Sequence, residues 1–343
     1  MTETTNVTVL GAGSWGTALA IHCARRGFPT RLWTRRSDHA ESMARERRNT
    51  RYITDFAFPD TLTPTDDLEG AIAESRGLVI CAIPSHGMRA TMKRVRAVYD
   101  ANPSLPAPHY LIAAKGIEVD TLDNMHAVLE QELPESHRDG IAALGGPSFA
   151  AEVAGEKPTM VVVGALHEKT GTAIQTMLSG SNMRAYVTED ILGVEMGGTF
   201  KNVIALAAGI GDGAGLGLNA RAGLITRGLA EITRLSVSLG ANPATLSGLA
   251  GMGDLVLTCT GGLSRNRRVG VALGEGKKLE EILEEMGMVA EGVKNTLSAH
   301  KLAQREGVEM PLVATMHAIL YEGMSVPTAV GALMGRRLKA ERD

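Results

Sequence analysis

"VTVLGAGSWGTALAIHCARRG", Val7 to Gly27, passes from a β-branched strand through Gly11, Gly13 and Gly16, in the order G-x-G-x-x-G, into a helix. A glycine triplet of this kind is common by itself. Its position directly after a strand and at the head of a helix is what a dinucleotide requires. Gly11 permits the tight turn, Gly13 lets backbone approach the pyrophosphate, and Gly16 lets helix and strand pack closely. The exposed N–H groups and the helix dipole then hold the phosphates. The plainer reading, a glycine-rich turn that binds nothing, does not need that context. Ser14 and Trp15, inside the same turn, belong with the cofactor-binding candidates.

Outward from this unit, short β-branched runs alternate with charged helical segments, the pattern of a parallel sheet with crossover helices. The strands expected are 6–10, 30–33, 77–83, 109–114, 141–144, 159–165 and 183–188. After about residue 189 such runs largely stop, and apolar residues recur at helical spacing. The expectation is α/β: a Rossmann-type, doubly wound, mainly parallel sheet over residues 1–189, followed by an all-α C-terminal domain over residues 190–343.

Where a dinucleotide fold normally places an acidic residue for the ribose 2′-hydroxyl of NAD, the chain has "WTRRSD". Arg35 and Arg36 there suit a 2′-phosphate, because guanidinium groups offer fixed donors and a permanent charge. NADP(H), alone or alongside NAD(H), is the expected cofactor. The competing reading makes the two arginines a solvated helix start.

Composition narrows the partner. A length of 343 residues favours two domains. A net charge of −3 with 21% charged residues supplies no field that would draw nucleic acid or an anionic membrane. Aromatics at 3% argue against base stacking, and 40 glycines suggest backbones packed close to each other or to a ligand. Cys23, Cys81 and Cys259 are odd in number and widely spaced, which indicates neither disulfide framework nor zinc site. The amino-terminal stretch carries no secretory pattern, and the longest apolar run, Val203 to Gly211, is half a membrane span. The expectations are a small-molecule substrate, no nucleic acid, no stable membrane insertion, no metal, and a cytoplasmic location.

In "MGGTFKNVIALAAGIGDGAGLG", Met196 to Gly217, one ammonium group precedes a run of small and apolar residues. A helix beginning near Ile191 places Lys201, Ala205, Ala208 and Asp212 on one face. Desolvation disfavours a charged lysine, so an amine in a partly apolar cleft can protonate an oxygen as hydride reaches its carbon. The alternative is a lysine that snorkels to the surface or pairs with Glu195 or a remote carboxylate.

The motifs "GAGSWGTALA", "AAKGIE", "GGPSFAAEV", "GGTFKNVIALAAGIGDGAGLG", "LAGMGDLVLTC", "SRNRRVG" and "VAEGV" follow one another from about residue 7 to beyond 320. In this order the chain resembles the prokaryotic-type NAD(P)-dependent sn-glycerol-3-phosphate dehydrogenases. The resemblance implies hydride transfer between a nicotinamide and dihydroxyacetone phosphate, a role in phospholipid synthesis, and a homodimer. It implies Lys201 as proton donor and acceptor at the substrate C2 oxygen. It implies Lys115, Gly146, Ser148, Asp254, Ser264, Arg265 and Asn266 at the substrate, and Lys115, Ala150, Arg265, Val289 and Glu291 at the cofactor. Arginine is a bidentate phosphate partner, which agrees with Arg265 at the phosphate end; Arg267 and Arg268 read as solvated. Asp254 is expected to accept a hydrogen bond from Lys201 or from a substrate hydroxyl. Trp15, at a variable aromatic position, and "AAKG", in place of commoner hydroxyl residues, depart from the pattern.

Two other functions fit parts of the chain. A related 3-hydroxy acid dehydrogenase would carry an asparagine one turn after the lysine, where this chain has Ala205. A dinucleotide-sensing module without chemistry would keep the glycine loop but need not keep Lys201, Asp254 and Arg265 together.

Overall fold

The computed structural model describes residues 5–286, 291–338, 340 and 341. They form two compact units, Met1–Gly198 with Ala241–Asp254, and Thr199–Gly240 with Leu255–Asp343.

The first unit is built on ten strands: β1 Val7–Leu10, β2 Thr30–Trp33, β3 Arg48–Asn49, β4 Ile53–Ala57, β5 Leu62–Thr65, β6 Leu78–Cys81, β7 His109–Ile112, β8 Ile141–Gly145, β9 Thr159–Ala165 and β10 Met183–Thr188. Eight lie in one sheet, in the order β10-β9-β8-β7-β6-β1-β2-β5, and β3 and β4 pair separately. Neighbours in the large sheet are parallel except β8 and β9, where Ala142 faces Ala165. This is the mainly parallel, Rossmann-like sheet the sequence predicts.

Burial on both faces explains why the strands read as continuous apolar runs. Val7, Val9, Ile80 and Leu111 point into one core with Leu19, Ile21, Ile174 and Leu178 from helices Ser14–Arg25 and Glu168–Leu178. Leu10, Val79, Tyr110 and Ile112 point into the other, with Met88, Met92 and Val95 from helix Ser85–Ala101 and Val128 and Leu129 from helix Met125–Glu132. Strand β5 was not expected, and the reason is Pro64, which lacks the N–H a central strand needs. It is tolerated because β5 is the edge strand, bonded only to β2.

The second unit is all-α among its described residues. Its described helices are Gly217–Ser238, Arg265–Gly274, Leu279–Met286, Glu291–Arg305, Pro311–Tyr321, Val326–Met334 and the larger parts of Ile191–Gly213 and Asp254–Thr260. Glycines set one packing distance. A Cβ at Gly209 or Gly213 would overlap the Arg267 or Val271 carbonyl oxygen, and one at Gly270 or Gly274 would overlap those of Leu206 or Ile210. Helices Ile191–Gly213 and Arg265–Gly274 therefore touch backbone to backbone. Helix Ile191–Gly213 is long and apolar enough to cross a membrane, with mean hydropathy 1.2, but 94% of that stretch is buried inside the protein. Cys23, Cys81 and Cys259 are buried and free, and burial pushes the Cys23 and Cys81 thiols up to about 12.

Candidate active site

The glycine turn lies at the carboxyl end of β1. Gly11 has φ +113°, and a Cβ there would lie 2.7 Å from the Ala82 oxygen; a Cβ at Gly16 would overlap the Gly11 oxygen. These two positions admit only glycine. Around Gly13 a Cβ would meet nothing within 4 Å, so the backbone there faces open space. Gly13 is the N-cap of helix Ser14–Arg25, with no side-chain cap and no acidic residue in the first turn. The first helical bond runs from Thr17 N to the Gly13 oxygen at 2.9 Å, which leaves the N–H groups of residues 14–16 without intrahelical acceptors. An anion fits this cradle, and a dinucleotide pyrophosphate is the anion its shape suits. The Ser14 hydroxyl donates to the Tyr52 oxygen at 3.0 Å. Trp15 Nε1 is buried without a hydrogen-bond partner.

Beyond β2, Arg35 is exposed. Arg36 is exposed too, but its guanidinium grips Asp38, at 3.1 Å from Nε and 2.6 Å from Nη2. The Arg36 hydrogen bond holds the Asp38 carboxyl down to about 2. An incoming phosphate at Arg36 would compete with this local carboxylate, a pairing not foreseen from the sequence.

Lys115 follows β7 and the turn of Gly146 follows β8, so both stand on the same edge of the parallel sheet as the glycine turn. Ligands collect at this edge in open α/β sheets. Lys115 Nζ donates to Asp254 Oδ2 at 2.8 Å, and Asp254 is 1% exposed. The segment that delivers Asp254 contains Ala250, whose backbone packs so tightly on Gly197 that a Cβ there would lie 2.5 Å from the Ala250 oxygen. Gly198 leaves room for the Lys115 stem, 3.5 Å from where its Cβ would be. Gly146 has φ +103°, and its oxygen accepts from the Ser148 hydroxyl at 3.0 Å. Ala150, half-buried, opens helix Ala150–Ala154.

In the second unit Lys201 lies on helix Ile191–Gly213 and is 6% exposed. Beside it in sequence, Asn202 Oδ1 accepts from Asn266 Nδ2 at 2.8 Å, and Asn266 Oδ1 accepts from Gly292 N at 3.0 Å. This chain of amides joins the Lys201 helix, the Arg265 helix and the start of the Glu291 helix. Ser264 caps helix Arg265–Gly274 by accepting from Arg267 N at 3.2 Å. Ser264 and Asn266 therefore carry structural hydrogen bonds in addition to any ligand they hold. Arg265 is exposed at the first helical position and Glu291 begins the helix Glu291–Arg305. Arg267, read from the sequence as solvated, instead pairs with Asp212 at 2.7 Å. Val289 lies outside the described residues.

Glu195, weighed above as a partner for Lys201, is used elsewhere. It is buried and accepts from Asn124 Nδ2 at 2.8 Å and His126 N at 3.0 Å, at the start of helix Met125–Glu132. Burial pushes its carboxyl up to about 8 against those hydrogen bonds. Glu231 does the same for helix Pro311–Tyr321, accepting from Leu312 N at 2.8 Å, and burial raises it to about 7. Neither role carries a sequence signal, because the donors, backbone N–H groups and the Asn124 amide, lie far along the chain.

Two family models match, one described as the NAD-dependent glycerol-3-phosphate dehydrogenase N-terminus, over residues 6–171, and one as its C-terminus, over residues 190–331. The chain belongs to the NAD-dependent glycerol-3-phosphate dehydrogenase family. A glycerol-3-phosphate dehydrogenase [NAD(P)+] of Syntrophotalea carbinolica is 49% identical over 339 residues, covering 98% of this chain and 100% of that protein. One from Methylococcus capsulatus is 47% identical, with 98% of each chain covered. A crystal structure of glycerol-3-phosphate dehydrogenase from Coxiella burnetii superposes with a TM-score of 0.90 at 40% identity, covering 97% of this chain and 99% of that one. A D-mandelate dehydrogenase with NADH, 12% identical with a TM-score of 0.61, shares the fold alone. Family membership decides among the three functions the sequence left open, against the 3-hydroxy acid dehydrogenase and the sensing module.

Proposed function

We infer that this protein is an NAD(P)-dependent oxidoreductase that interconverts dihydroxyacetone phosphate and sn-glycerol 3-phosphate, supplying glycerol phosphate for phospholipid synthesis. The observation that carries the geometric side of this reading is the Lys115–Asp254 pair, a cation held by a buried carboxylate at the ligand edge of the sheet. When bound, the nicotinamide supplies or accepts the hydride at the substrate C2 carbon.

The chain's own groups handle the proton and the phosphate. Lys201 donates a proton to the C2 oxygen in the reducing direction and takes it back in the oxidising one. One hydride and one proton thus convert the ketone to the alcohol. Its low exposure directs that proton to substrate rather than to bulk water. Arg265 binds the substrate phosphate as a bidentate donor and reaches the cofactor, with Ser264 and Asn266 adding hydroxyl and amide donors. Lys115 presents its ammonium to substrate and cofactor, oriented by Asp254. Gly146 and Ser148 offer backbone and hydroxyl groups to substrate.

The cofactor is held by Gly11, Gly13, Ser14, Trp15 and Gly16 at the pyrophosphate, and by Ala150, Val289 and Glu291. Arg35 and Arg36 favour the 2′-phosphate of NADP(H). Cofactor binding falls mainly to residues 1–189 and substrate binding mainly to residues 190–343, with Lys115, Gly146 and Ser148 reaching substrate from the first part and Arg265, Val289 and Glu291 reaching cofactor from the second. The working form is a cytoplasmic homodimer. Following loss of NADPH absorbance with dihydroxyacetone phosphate tests the whole reading. Turnover supports it, and turnover with a 3-keto acid instead overturns it.

A further inference from the structure

A glycine-rich turn that admits a ligand closely is a loose turn by nature. Between Gly11 and Gly13 the peptide planes are free to rotate, because glycine populates backbone conformations closed to other residues. Something must select one orientation before the ligand arrives, or the binding energy is spent on ordering the loop.

Asn49, on β3 and fully buried, is placed to make that selection. Its Nδ2 donates to the Ala12 oxygen at 2.9 Å and to the Thr17 hydroxyl at 2.8 Å. Its Oδ1 accepts from Arg51 N and Tyr52 N, both at 3.2 Å, and faces His39 Nε2 at 3.1 Å. With carbonyl and hydroxyl oxygens on one side and N–H groups on the other, the amide has a single orientation. The Ala12 oxygen and the Gly13 N–H belong to one planar trans peptide and point in opposite directions. Holding the oxygen therefore aims the N–H at the open space around Gly13. The segment held by Asn49 Oδ1 also returns to the turn, since the Tyr52 oxygen accepts the Ser14 hydroxyl.

We propose that Asn49 is the positioning residue that pre-organises the Ala12–Gly13 peptide for the phosphates of a dinucleotide. The proposal rests on the reading of the glycine turn as the cofactor site. Asn49 touches no ligand; it acts through Ala12 and Thr17.

Fluorescence titration of the purified full-length protein with NADPH and with NADH tests this directly. In Asn49→Ala the dissociation constants of both rise about tenfold, the equivalent of one buried hydrogen bond's net worth. The cofactor KM rises with them, while kcat at saturating cofactor and KM for dihydroxyacetone phosphate stay within about twofold of wild type. Asn49→Asp, which has the same shape, keeps the test available if Asn49→Ala does not fold. It retains the acceptor for Arg51 N and Tyr52 N but sets a carboxylate against the Ala12 oxygen. Protonation restores a donor, so the affinity lost in Asn49→Asp recovers as pH falls, which a purely structural role would not produce. Folded variants that bind both dinucleotides with wild-type affinity at every pH overturn the proposal. Wild-type protein that binds neither overturns the cofactor reading beneath it.

Discussion

Replacing Glu195 with glutamine should shift the stability balance progressively toward the variant as pH rises. Burial raises the Glu195 carboxyl from 4.5 to about 8. The folded protein therefore keeps this proton to higher pH than the unfolded chain does. Its stability contribution is intact below pH 4.5 and is lost as pH rises through about 8. Glutamine has nearly the same shape and no proton to lose. The stability difference in favour of Glu195→Gln should grow by about 1.4 kcal/mol per pH unit across that window and level off near ~5 kcal/mol above it. A constant offset of about 1–3 kcal/mol against the variant is expected, because the glutamine amide faces the Asn124 Nδ2 or His126 N donor that the carboxylate accepted. The slope is thus the informative quantity. Urea denaturation of both proteins from pH 5 to pH 9, at about one-unit steps, reads it directly. A difference that is flat with pH, or that moves toward the wild type as pH rises, refutes the reasoning. It would mean that the helix start at Met125 holds the carboxylate ionised despite its burial.

Lys201→Ala should lower kcat by at least ~100-fold with the fold intact by circular dichroism, the usual worth of a positioned general acid; near-normal turnover removes the proton role. Arg265→Ala should act chiefly on KM for the phosphorylated substrate, because the arginine holds the handle and not the reacting carbon. Unchanged KM and kcat would assign that helix start elsewhere. Arg35→Ala should weaken NADPH more than NADH in parallel titrations, since only the former carries the 2′-phosphate. Equal effects on the two would show that the exposed guanidinium does not read that group. Since Asp38 already neutralises Arg36, the smaller selectivity change is expected for Arg36→Ala.

Most of the fold was legible because the sheet is buried on both faces. Runs such as Val7–Leu10 and Leu78–Cys81 are β-branched or apolar and buried at every position, and are bounded by turn residues. The antiparallel turn of β9 against β8 was not legible, since strand direction is set by the connection and not by the residues in it. Strands β3 and β4 escaped for a different reason. Ile53–Ala57 buries one residue of five and carries Thr54 and Asp55, so neither apolar alternation nor a continuous run marks it. Yet this small hairpin brings Asn49 to the glycine turn.

The candidate site shows a sharper division. Residue types that touch a ligand announce themselves by motif, because phosphate and proton chemistry call for glycine, lysine and arginine at particular spacings. The groups that hold those residues do not, because a buried carboxylate or amide is defined by its partners. Asp254 was read as an acceptor for Lys201 or for a substrate hydroxyl; what the sequence did not disclose is its ion pair with Lys115, 139 residues away. That pairing depends on residues Ala241–Asp254 packing with the first unit, although most of the chain on either side belongs to the second. Asn202, Asn266 and Gly292 likewise come together only because Gly209, Gly213, Gly270 and Gly274 let two helices meet at backbone distance. A single methyl group at Gly270 would strike the Leu206 oxygen and push the Arg265 helix away from the Lys201 helix. The glycines outside the nucleotide turn are therefore as much a part of the site's geometry as those within it.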